Sequence, residues 1–157
     1  MTDRRGRQSK PRATRGVVAL VFAMAFAACA GDGGGPIGSG EYARIQTEIF
    51  DQGCVQQACH SSAGQAGNLS LAAGESYDEL VEIEPANPIA AATGLLRVEP
   101  FSSQDSFLVR KVRGLLAPGE GTRMPIGEEP LSEDQLALIE TWIDGGAAPD
   151  PEPPTAP

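Results

Sequence analysis

Histidine is almost missing from this chain: its 157 residues hold one, His60, with three cysteines and three methionines. No catalytic triad, phosphate-binding loop or paired-carboxylate site stands out, so nothing points to an enzyme. Aromatic residues are also few. After residue 28 they are Tyr42, Phe50, Tyr77, Phe101, Phe107 and Trp142. A loop-rich domain with so thin an apolar inventory is marginal unless something else, such as a large buried apolar cofactor, completes its core. No stretch alternates apolar and polar residues over six positions, which argues against a sheet-based fold. The apolar run Val17–Ala28 is 12 residues long, short of the roughly 20 needed to cross a bilayer.

That run follows a basic start. The first sixteen residues carry six Lys/Arg against one Asp. A basic segment, a short apolar run and small residues at its end form a secretory signal, here residues 1–28. The junction Phe26-Ala27-Ala28-Cys29 resembles a bacterial lipobox, with Cys29 the lipidated first residue of the mature chain. Lipidation would anchor the protein to a membrane of the cell envelope, facing the periplasm. No acidic residue directly follows Cys29, a slight pointer to the outer membrane over the inner.

Removing the leader changes the charge. The chain as a whole carries 12 basic and 21 acidic residues; without the leader 6 and 20 remain, a balance of −14. Such acidity excludes nucleic acid as a partner and suits a soluble domain, or one that docks on a basic protein surface. Residues 29–40 form a glycine-rich tether with a reach of roughly 20 Å. Residues 147–157, with five prolines in eleven positions, are expected to be extended or disordered. One domain, residues 41–146, lies between.

The expected fold is all-α, helices joined by long loops. The strongest helix is 133–144. Ser132 and Gln135 form a capping-box pattern, Leu136, Ile139 and Ile143 recur at helical spacing, and Gly145-Gly146 ends it. A first helix is expected over Glu41–Asp51, broken by Gly53, and a short one over Glu75–Val81. A further helix is expected over Ser103–Val112, capped by Ser103, with Leu108, Val109 and Val112 facing the core and Gly114 closing it. Residues 114–130 form a long structureless segment, of a kind that is usually functional or disordered. Arg110, Lys111 and Arg113 are expected on a solvated face, where they could also pair with an anionic cofactor group.

Chemistry concentrates in Cys54-Val55-Gln56-Gln57-Ala58-Cys59-His60. With Cys29 lipidated, Cys54 and Cys59 are the two remaining cysteines, in an oxidising compartment. Three readings follow. They close a short disulfide loop and the domain is a non-redox envelope module. Or, with His60, they form part of a zinc site, for which three ligands are too few and Cys59-His60 adjacency is unusual. Or they anchor haem c in a variant of C-x-x-C-H, with His60 on the iron. Beyond the leader Met124 is the one methionine, and a thioether is a common second axial ligand.

With the stretches "GNLSL", "SYDELV", "DSFLVRKVRG", "GTRMPIGEEPLS" and "DQLALIETWIDGGA", this motif resembles small monohaem cytochrome c domains of exported planctomycete and myxobacterial proteins. The likeness covers most of residues 50–147. It implies electron transfer with a redox partner protein, thioether bonds at Cys54 and Cys59, and His60 and Met124 as axial iron ligands. It further implies that Pro125 stiffens the methionine loop and Trp142 packs inward. The spacer of four residues departs from the usual two. Positions i and i+5 do not share a helix face, so attachment requires the spacer to bulge out of the helix. Were Met124 not a ligand, an open iron site would suit small-molecule binding or peroxidase-like chemistry.

Overall fold

The computed structural model describes residues 40–150. The leader 1–28, Cys29, most of the tether and the end of the tail lie outside them. Gly40, in the left-handed region at φ 83°, turns the chain into α1, Glu41–Ile45, which places Tyr42 and Ile45 inward. A π-helical segment, Gln46–Cys54, continues it and buries Gln46, Ile49 and Phe50. The Thr47 hydroxyl donates to the Ala43 carbonyl at 2.9 Å, the acceptor that a regular α-turn would give to the Thr47 amide. Five-residue spacing then persists: Val55 N–H reaches Phe50 O at 3.2 Å. The first helical stretch therefore runs through Gly53 to Cys54, not to Asp51 as expected.

The remaining helices are α2 (Ser76–Leu80), α3 (Pro88–Ala92), α4 (Phe107–Arg113) and α5 (Glu133–Asp144). Among the described residues there is no strand, only isolated bridges Val81–Val98 and Leu96–Ser106. The domain is a small helical one, as expected. α5 has the expected bounds, and both halves of its capping box are made, an arrangement worth about 1 kcal/mol. α3 falls in a stretch expected to be loop: Asn87 caps it through Ile89 and Ala90 N–H, with Pro88 opening the first turn. α4 starts after Ser106 and not after Ser103, because Asp144 engages Ser103. Ser103 N–H and Oγ donate to the Asp144 carboxylate at 2.8 and 3.1 Å.

α5 packs on both α1 and α4. Trp142, 1% exposed, lies 4.9 Å from the Tyr42 ring, and Tyr77 completes an aromatic trio 5.3 Å from Tyr42. The Tyr42 hydroxyl donates to Ser76 Oγ at 2.6 Å, and Ser76 in turn to Gln46 Oε1 at 2.6 Å. Burial pushes the Tyr42 phenol well above its ordinary pKa. The start of the tail belongs to this core, against expectation. Ala147 is buried, its carbonyl accepts from Tyr77 OH, and the Ala148 carbonyl accepts from Trp142 Nε1 at 2.8 Å.

Candidate functional site

The spacer between the cysteines leaves the helix. The π segment ends at Cys54, and residues 55–60 fold as an irregular turn. Cys59 N–H donates to Gln56 O at 2.8 Å, and His60 N–H returns to Cys54 O at 3.0 Å. This is the outward bulge that a four-residue spacer requires. Beneath it lies Gly64. A Cβ there would stand 2.5 Å from Gln57 O and 2.9 Å from Cys59 O, so the loop can fold this tightly only over glycine. Ala66 N–H on Cys59 O (2.9 Å) and Leu71 N–H on His60 O (2.7 Å) fix its far side.

His60 Nδ1 lies 3.2 Å from the Leu69 carbonyl. A carbonyl can only accept, so Nδ1 donates this bond, which leaves Nε2 to carry the lone pair in the neutral tautomer. A ligating imidazole is usually oriented in this way, by a second partner on its other nitrogen.

His60, Cys54 and Met124 all line one cavity of about 420 Å³, within the size range of small-molecule and cofactor sites. Its wall is mainly apolar, with Phe50, Leu71, Phe107, Val112, Leu131 and Ile139 among the residues that form it. Cys59 is half-buried and stands outside that wall. Cys54 and Cys59 are free thiols. Among the described residues no three His, Cys, Asp or Glu side chains gather as a metal site. The Cys54 and Met124 loops meet through Gln56 Nε2, which reaches Glu128 Oε1 at 3.3 Å.

Burial, then the Glu128 and Cys59 charges, push the Cys54 thiol up to about 11. Only the thiolate reacts with an alkylating agent. In the haem-free reduced chain, iodoacetamide should therefore label Cys54 slowly at pH 8, where about one thiol in a thousand is ionised. The rate should climb tenfold per pH unit toward pH 11. Peptide mapping by mass spectrometry measures it, and a flat, fast profile would show the thiol to be open to water.

The basic residues of α4 are half-exposed, and each is paired within the protein. Arg113 pairs with Glu140, and with Glu133 at 3.5 Å, and Arg110 pairs with Glu120 at 2.8 Å. Lys111 Nζ donates to Glu120 O and Thr122 O and lies 5.5 Å from the Phe107 ring centre. Burial lowers its pKa, against the nearby Glu120 charge.

Sequence reasoning missed Arg97, which is 6% exposed and lines the cavity. Arg97 Nη1 donates to Glu79 O and Nη2 to Asn68 O, both at 2.7 Å. It ties α2 to the loop residue next to Leu69, whose carbonyl holds His60. Its one sequence signal is a lone charge between apolar neighbours, Leu96 and Val98. Comparison with protein-family models, curated proteins and solved structures finds no match to this chain.

Proposed function

We propose that this is an exported, lipid-anchored electron carrier of the monohaem c-type cytochrome kind, its all-α domain enclosing haem c. One observation carries the reading. A histidine and a methionine from distant parts of the chain, together with Cys54, line a single apolar cavity. The donor set suits the group: an imidazole held by its Nδ1, a thioether and the Cys54 thiol line the cavity, and Cys59, outside the wall, stands in the same loop next to His60. Cys54 and Cys59 would carry the thioether bonds, and His60 and Met124 the axial positions. Bound there, haem supplies one-electron chemistry at its iron.

The chain's own residues do the rest. The Leu69 carbonyl orients the His60 ring, the Lys111 carbonyl holds the Met124 backbone, and the wall around them is mainly apolar. With His60 and Met124 both holding the group, the protein would carry electrons and not act as an enzyme. Its acidity suits a redox partner with a basic docking face. Cys29 would hold it in the cell envelope.

Production of the mature domain alongside a cytochrome c maturation system tests this. The expected product keeps its haem absorbance after denaturation, because the attachment is covalent. A colourless protein two hydrogens lighter than the reduced chain would instead identify a non-redox module closed by a Cys54–Cys59 disulfide.

A further inference from the structure

Of residues 114–130, Glu120 alone is fully buried, at 1% exposure. Its flanking glycines, Gly119 and Gly121, are both exposed. Both Glu120 carboxylate oxygens accept from Arg110 Nη2 at 2.8 Å, and Oε2 also accepts the Ala117 N–H at 2.8 Å. The Glu120 carbonyl accepts from Lys111 Nζ at 3.1 Å, and the same ammonium reaches Thr122 O at 3.0 Å. Met124 N–H then donates to Lys111 O at 2.9 Å. Two consecutive residues of α4 thus grip the loop immediately before its methionine. Ion-assisted hydrogen bonds around a buried carboxylate are the strong ones. Apolar packing does little to hold this part of the loop, since Leu115, Ala117, Pro118 and Thr122 are exposed; Asn87 Nδ2 adds a bond to Gly119 O at 3.0 Å.

We infer that Glu120, through the Arg110 pair and the Ala117 N–H bond that its carboxylate makes, is a positioning residue that keeps Met124 at the cavity wall. The inference rests on the proposed role of Met124 as an axial ligand. Its consequence is specific: loss of Glu120 leaves the His60 end of the site intact and releases the methionine end.

The test compares the matured wild-type chain with Glu120→Ala and Glu120→Gln. E120A should keep covalent haem, lose the methionine-to-iron charge-transfer band, and bind added imidazole at least about tenfold more tightly. Hydrogen exchange gives a readout that does not need haem. The Met124 amide should lose at least about tenfold protection in E120A, while the Ile139 and Ile143 amides in α5 hold theirs. E120Q keeps the shape and one acceptor and should fall between wild type and E120A. A haem-loaded E120A with an unchanged charge-transfer band overturns the inference and leaves the proposed function standing. A wild-type chain that takes up no haem overturns the proposed function. The inference is then decided by the Met124 amide alone, and unchanged protection there sinks it. Should E120A not fold, E120Q decides, and a wild-type-like E120Q in both readouts overturns the inference.

Discussion

In protein matured with haem, His60→Ala is expected to cut stable haem content by at least about tenfold while leaving the helices in place. The two halves of this expectation come from different bonds. The His60 backbone is fixed by its own N–H on Cys54 O and by Leu71 N–H on its carbonyl, and alanine keeps both. The imidazole makes one bond, to Leu69 O. Losing that half-buried bond costs about 1 kcal/mol, too little to unfold an ordinary domain. The aromatic trio and the α5 capping box are untouched.

Circular dichroism should therefore match wild type, while haem absorbance after denaturation falls. The disulfide alternative predicts something else. If Cys54 and Cys59 simply staple the loop, His60 is a polar residue on its rim, and H60A, like wild type, is colourless and two hydrogens lighter than its own reduced chain. Equal haem content in H60A and wild type would remove His60 from the iron.

The contrast between ends of the site also shows what could be read from sequence. Cys54, His60 and Met124 were legible because each is a scarce residue type in a motif. That their loops converge on one cavity depends on the tertiary fold. The frame that holds them was not legible. Gly64 is one glycine among nineteen, and its role lies in a carbonyl 2.5 Å from where its Cβ would be. Glu120 is one acid in an acidic chain, and its partner Arg110 comes from α4.

Helices followed the same division. α5 carries its cap, its periodicity and its stop within fourteen residues, so local rules sufficed. For α4, the sequence offered Ser103 as the cap, but the helix begins after Ser106. Ser103 is instead engaged by Asp144, 41 positions away, a contact no local rule reveals. α3 had a legible signal in Asn87-Pro88 but only five residues to show it. The proline-rich tail misled through composition. Ala147 and Ala148 join the core because two aromatic side chains, Tyr77 and Trp142, need acceptors for their polar ends.

Met124→Ala should separate ligation from packing. Met124 is half-buried at the cavity wall, and its amide bond to Lys111 O does not involve the side chain. Truncation there should cost about 2 kcal/mol, the low end for a buried methionine, so the domain stays folded. With His60 and both cysteines intact, covalent haem should remain at the wild-type level. What changes is electronic. A thioether on the iron favours the reduced state and raises the potential. Its loss should lower the potential by on the order of 100 mV, within the roughly 0.8 V that axial-ligand choice spans.

The methionine-to-iron band should vanish, and added imidazole should bind where wild type resists it. M124A should then resemble E120A by spectrum but not by exchange, since only E120A loosens the loop that Arg110 and Lys111 grip. If M124A kept the wild-type potential and reduced-state spectrum, Met124 would be wall packing alone. The iron would then have an open face, and the cavity beside Phe107 and Val112 would become a pocket for a small molecule bound against it.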